Sequence, residues 1–182
     1  MKQHLFLTGE IQVGKTTLIQ KFLCTLGLIP GGFQTYFGPD RLEPEHYLYL
    51  CPAWEMPVFD VAHRLAFFQP GVPPQAFDRQ FETRGVSYIE DASRPWPLKI
   101  FDECGFLEQS APAFQKAIIT ALDQKTPVLG VLKQTGRPSW LDQISSHPEV
   151  ERILVTPDNR DRLLPVLLQR VRDGWLDRPV SL

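Results

Sequence analysis

Apolar residues along the chain fall into short blocks of two kinds, and their alternation predicts the fold. His4-Leu5-Phe6-Leu7 is a brief, nearly unbroken apolar run, the pattern of a parallel strand buried on both faces. Beyond it, Leu18, Phe22 and Leu26, with Ile19 and Leu23 beside them, recur at helical spacing until Gly27, which predicts a helix that stops there. Residues 33–37 and 46–50 are strand-like and separated by Gly38-Pro39-Asp40, which predicts an antiparallel hairpin with a long polar tip. Residues 98–101, 128–132 and 152–156 are further strand-like runs. Phe114, Ala117, Ile118, Ala121 and Leu122 share one helical face behind the start signals Ser110 and Pro112. Trp140, Leu141 and Ile144 mark a short helix, and residues 163–171 a last one perturbed by Pro165.

Residues 51–97 break this rhythm. Seven of the 17 prolines fall there, interleaved with Trp54, Phe59, Phe67, Phe68, Phe77, Phe81 and Trp96. So many aromatic side chains need burial, so the segment reads as an ordered, irregular insertion, with short helices expected near 61–68 and 75–82. Strands alternating with helices on either side predict an α/β fold: a mainly parallel sheet flanked by helices, carrying the hairpin and the insertion, in a single domain over residues 1–182. A ligand then belongs at the carboxyl ends of the strands.

Composition narrows the function classes. A hydrophobic fraction of 43% and a charged fraction of 22% are those of a globular protein. The net charge of −2, with no basic stripe, leaves nucleic-acid binding without an electrostatic footprint. No apolar run approaches membrane-spanning length, and the first strand leaves no room for a signal peptide. Cys24, Cys51 and Cys104 are scattered, without zinc or disulfide spacing, which together with the rest predicts a reducing, cytoplasmic setting. The four histidines show no ligand spacing, and no feature points to a particular protein partner.

The candidate chemistry begins between the first strand and the first helix. Gly9-Glu10-Ile11-Gln12-Val13-Gly14-Lys15-Thr16, followed by Thr17, fits G-x-x-x-x-G-K-[ST], the loop that cradles nucleotide phosphates. Gly9 and Gly14 permit positive φ and close backbone approach, so successive N–H groups face an anion at the positive end of the helix. Lys15 is placed to reach the β- and γ-phosphates, and the Thr16 hydroxyl to ligate Mg²⁺. The second half of the site is Ile100-Phe101-Asp102-Glu103. An aspartate at such a strand end holds the Mg²⁺ shell. Glu103, one residue on, is expected to point the other way and to orient or deprotonate a water.

Four blocks give the chain a family resemblance: residues 7–18, Gly32-Phe33-Gln34-Thr35, Asp102-Glu103-Cys104-Gly105 through Glu108, and Val155-Thr156-Pro157-Asp158-Asn159-Arg160. With Phe114, Leu163, Leu164 and residues 127–131, they resemble the THEP-type, or cancer-related, nucleoside-triphosphatases nearly end to end, most weakly over 36–97. The resemblance implies a RecA-like P-loop NTPase fold and Mg²⁺-dependent hydrolysis of ATP, GTP and other nucleoside triphosphates. It implies Gly9 to Thr17 as the phosphate site, Asp102 as the Mg²⁺ partner and Glu103 as the water-activating base. Asn159 and Arg160 join as nucleotide-binding candidates, Asn159 for the base.

Two departures stand out. Tyr36-Phe37-Gly38 replaces the family's Glu-Val-Arg, and Phe106 replaces its lysine after Asp-Glu-x-Gly. If either lost cation stabilises transition-state charge, an arginine elsewhere must substitute, with Arg84, Arg137 and Arg160 as candidates. Two alternatives share the phosphate loop: a kinase of a small metabolite or nucleotide, and a nucleotide-binding regulatory module with little turnover. Glu103 beside Asp102 favours water as the acceptor.

Overall fold

The computed structural model describes residues 1–134 and 139–176. Its strands are β1 (His4–Thr8), β2 (Gly31–Phe37), β3 (His46–Pro52), β4 (Arg64–Phe68), β5 (Gln75–Ala76), β6 (Lys99–Cys104), β7 (Val128–Leu132) and β8 (Val150–Leu154). The helices are α1 (Lys15–Leu26), α2 (Asp78–Gln80), α3 (Val86–Glu90), α4 (Pro112–Leu122), α5 (Trp140–Ser146) and α6 (Arg160–Arg172). The described strands form one sheet in the order β5-β4-β3-β2-β6-β7-β1-β8. From β2 to β8 every pairing is parallel, whereas β3, β4 and β5 extend it as an antiparallel arm.

Strand periodicity decides which layer each residue enters. Leu5 and Leu7 pack with Leu18, Ile19 and Phe22 of α1 and with Leu163, Leu167 and Val171 of α6. Phe6, between them, faces the opposite layer of Phe114 and Ile118 from α4 and Leu141 and Ile144 from α5. The first helix stops where expected: Gly27 adopts φ 58°, its N–H bonds Cys24 O, and the next N–H, of Leu28, bonds Leu23 O. α6 runs through Pro165, which sits in its second turn and forfeits one intrahelical bond without ending the helix.

The hairpin forms as β2 against β3, from Phe33 opposite Pro52 to Phe37 opposite Leu48. The insertion departs from expectation. Over 61–68 only Val61–His63 is helical, as a single 3₁₀ turn, and Arg64–Phe68 is strand β4. Five residues are too short to sustain a helix, while the open edge of β3 offers a full row of backbone partners. The helix expected at 75–82 begins only at Asp78, after the two-residue strand β5, and continues through a π-helical turn, Phe81–Gly85, into α3.

The sheet's centre is tightly filled. Gly130 lies opposite Phe6 in the β1–β7 register, and a Cβ there would stand 2.3 Å from Cε1 of that fully buried ring. Gly130→Ala should therefore cost about 1–3 kcal/mol, the usual range for overpacking, in equilibrium urea unfolding. Shrinking the ring in Gly130→Ala/Phe6→Leu should recover part of the loss. A single mutant within about 0.5 kcal/mol of wild type would show that the ring has room to move.

Candidate active site

The carboxyl ends of β1, β6 and β7 lie side by side. Gly9 opens the phosphate loop at φ 143°, and a Cβ on it would stand 2.3 Å from Val155 O, so the loop is seated on the turn after β8 through a contact that needs a bare α-carbon. Gly14 closes it at φ 107°, directly before α1. Gln12 is also left-handed, at φ 63°. Glu10, Ile11, Gln12 and Thr17 are exposed, while Val13 turns inward and anchors the loop in the core. Glu10, Ile11 and Gln12 thus leave the inner side of the loop to its backbone.

Lys15 is only 7% exposed, and its ammonium donates to Gly9 O at 3.0 Å and Glu10 O at 2.7 Å. Burial lowers its pKa, the negative charges of Glu103 and Asp102 oppose that, and Lys133 adds to it. The Thr16 hydroxyl donates to Asp102 Oδ1 at 3.3 Å, which joins the two expected metal ligands across α1 and β6. Asp102 is 2% exposed, and its other oxygen, Oδ2, is buried without a hydrogen-bond partner. Burial drives its pKa up to about 7; the Thr16 bond pulls it down and the Glu103 charge pushes it up. An orphaned carboxylate oxygen beside a threonine hydroxyl is a hard-oxygen donor set of the kind Mg²⁺ takes, and a bound divalent cation would favour the ionised carboxylate. Among the described residues there is no cluster of three His, Cys, Asp or Glu, so a metal here would draw its remaining ligands from phosphate and water.

Glu103 is half-buried. The alternation expected to turn it away from Asp102 is interrupted, because the β6–β7 pairing shifts register between Phe101 and Cys104, and both carboxylate charges act on Lys15. Glu103 also lines a cavity of about 40 Å³ together with Thr35, Glu108 and Lys133.

Four residues of this region had no role in the sequence reading. Gln34 pairs in register with Asp102; it is buried, its Oε1 accepts from the Tyr36 hydroxyl at 2.8 Å, and its Nε2 has no partner. Burial raises the Tyr36 pKa to about 12, with smaller pushes from Cys51 and Asp102. Glu108 is 3% exposed and accepts the Gly105 N–H at 3.0 Å. Lys133 follows β7 and places its Nζ 4.1 Å from the centre of the Phe106 ring. Gln34 carried a signal after all, as a polar residue inside the otherwise buried start of β2. Lys133 carried none, since its position depends on how β6 and β7 pair.

The other candidates are placed differently. Asn159 makes no capping bond to α6; its Oδ1 accepts from Thr156 N and its Nδ2 donates to Leu154 O, stitching the turn after β8. Arg160 runs beside the phosphate loop, its Cδ 3.7 Å from where a Cβ of Gly14 would be, with its side chain 48% exposed. Arg84 sits in the insertion, with Nη1 3.4 Å from both His63 Nε2 and the Tyr88 hydroxyl. Arg137 lies outside the described residues.

Comparison with known proteins supplies the family. A family model described as NTPase matches residues 4–50 and 64–168. The nucleoside-triphosphatase THEP1 of Thermofilum pendens is 32% identical over 185 residues, covering 93% of this chain and 95% of its own. That of Methanopyrus kandleri is 35% identical over 95 residues, 52% of each chain. The solution structure of a human cancer-related nucleoside triphosphatase superposes with a TM-score of 0.72 at 25% identity, covering 94% of this chain and 98% of that one.

The buried Glu108 carboxyl makes a measurable prediction. Burial, reinforced by the Glu103 charge, lifts its pKa from 4.5 to about 7, against the Gly105 hydrogen bond and Lys133. The folded state therefore holds this proton more tightly than the unfolded chain. The resulting stability is fully present below about pH 4.5 and is lost as pH rises through about 7. Glu108→Gln, which keeps an acceptor for the Gly105 N–H, should flatten the fall in unfolding free energy between pH 5 and pH 8 by roughly 1–3 kcal/mol. Parallel curves for mutant and wild type would show that this carboxyl does not titrate in that window.

Proposed function

The chain belongs to the THEP-type nucleoside-triphosphatase family, and from that membership and the geometry of the site we propose that it hydrolyses nucleoside 5′-triphosphates, ATP and GTP among them, in a Mg²⁺-dependent reaction. The observation that carries the reading is the Thr16–Asp102 contact beside Lys15, with Asp102 Oδ2 left unpartnered where a phosphate-bound cation would stand. Thr16 and Asp102 would hold the Mg²⁺, which when bound supplies charge neutralisation on the β- and γ-phosphate oxygens.

The chain's own residues do the remainder. The backbone of Gly9 to Thr17 and the start of α1 hold the phosphates, and Lys15 leaves the Gly9 and Glu10 carbonyls for the β/γ-phosphate oxygens. Glu103 holds a water in the cavity it lines and accepts its proton as the water oxygen bonds to the γ-phosphorus. The bond from that phosphorus to the β,γ-bridging oxygen breaks, its electron pair stays on the diphosphate, and the products are nucleoside diphosphate and phosphate. The Glu103 carboxylate directly after Asp102 suits water as the acceptor, which favours hydrolysis over a kinase reaction. Base tolerance follows from a site built of backbone and charge. Asn159, the one candidate reader, has both its polar atoms engaged in the turn it belongs to.

Two measurements test this. Glu103→Gln should lower single-turnover ATP hydrolysis by about 10²–10⁴ while leaving Mg·ATP affinity nearly unchanged, whereas Asp102→Asn should lose Mg²⁺-dependent affinity as well as turnover. A Glu103→Gln enzyme within about threefold of wild type would place the base elsewhere. Rates with ATP, GTP, CTP and UTP should agree within about tenfold, or about 1.4 kcal/mol; a thousandfold preference would require a dedicated base pocket.

A further inference from the structure

Lys133 is held in the site at three points along its length. Its backbone N–H donates to Cys104 O at 2.9 Å, tying the end of β7 to the end of β6. Its stem passes Gly105, where a Cβ would meet Lys133 Cδ at 3.3 Å. Its ammonium rests over the Phe106 ring, and with Glu103 and Glu108 the residue borders the small cavity. Among the described residues it forms no ion pair.

Two ammonium groups therefore reach the same edge of the sheet, Lys15 from the first residue of α1 and Lys133 from the end of β7. They are near enough for Lys133 to disfavour the charge on Lys15. The Glu103 and Asp102 charges already oppose this repulsion at Lys15, so what Lys133 adds is a second donor at the same edge, positioned by the end of its strand and by the Phe106 ring. The aromatic face fixes one of them in place without neutralising it, so the charge stays available to a ligand. A fixed donor of this kind costs little reorganisation when negative charge develops on phosphoryl oxygens.

We propose that Lys133 is a second phosphate-contacting lysine of this site, whose ammonium, carried on the Phe106 ring, meets the γ-phosphoryl group of a bound nucleoside triphosphate alongside Lys15. The proposal rests on the nucleoside-triphosphatase reading and adds to it a residue outside the phosphate loop and the Asp102-Glu103 pair. Because the diphosphate product lacks the group that Lys133 contacts, the residue helps to distinguish substrate from product.

The test compares Lys133→Met, which keeps the apolar stem over Phe106 and removes the charge, with Lys133→Gln and Lys133→Arg. Thermal unfolding establishes that each is folded. Affinities for a non-hydrolysable ATP analogue and for ADP, both with Mg²⁺, are measured beside single-turnover ATP hydrolysis. A charge-assisted contact predicts that Met and Gln weaken triphosphate binding about 10- to 100-fold, leave ADP binding unchanged and slow the single turnover by at least about tenfold, with Arg restoring part of each. An unchanged ratio of triphosphate to diphosphate affinity, or an equal loss in both, would overturn the assignment and leave Lys133 a packing residue. The two readings fail separately: a wild type that binds but never hydrolyses ATP removes the hydrolase reading, whereas the affinity ratio still decides Lys133. A wild type that turns over beside a Lys133→Met enzyme with wild-type ratio and rate removes only the assignment of Lys133.

Discussion

The structure turns on keeping ionisable side chains out of water at the carboxyl edge of a sheet. Lys15, Asp102 and Glu108 are each buried there, and an unpaired charge in such a place is expensive. Each has a local answer: loop carbonyls for Lys15, the Thr16 hydroxyl for Asp102, the Gly105 N–H for Glu108. Only the answer for Asp102 leaves an oxygen over, its Oδ2, which like Nε2 of the neighbouring Gln34 stays without a partner. Two apolar layers make the arrangement possible by holding β1, β6 and β7 in one register, so that groups from distant parts of the sequence arrive together. The layers thus hold this polar edge in place from both faces of the sheet.

Much of this was legible in the residues. The apolar run of β1, the helical spacing of α1 and the two glycines around the loop are local patterns, and local physics realises them: Gly9 and Gly14 take positive φ and Gly27 ends the helix. The hairpin and the alternating strands were legible for the same reason. β4 was not, because residues 64–68 have no helical or strand periodicity of their own and become a strand through the free edge of β3. Within the site, Thr16 and Asp102 could be paired in advance by motif. Glu108 and Lys133 could not, since one is buried by the 3₁₀ turn it belongs to and the other reaches the site only through the pairing of β7 with β6.

The family's departures read differently once the neighbours are known. Tyr36, where the family's Glu-Val-Arg begins, spends its hydroxyl on Gln34 next to Asp102, so that position supplies a fixed dipole in place of a charge. Phe106, where the family has lysine, is an apolar ring with the Lys133 ammonium over it. A positive charge is thus retained in this corner, delivered from another strand.

The strand order also has a consequence for how the chain comes to be folded. The antiparallel arm is made of β2 to β5, which follow one another in sequence and need only short loops to close. β1 is the earliest strand of the chain, yet both its neighbours, β7 and β8, lie within residues 128–154. During synthesis the arm has its partners long before β1 has any, and the phosphate loop waits longer still, because Gly9 is seated against Val155. The edge that carries residues 9–16 is therefore the last part of the protein to take shape, and a chain released before its final third emerges can build the arm without ever seating that loop.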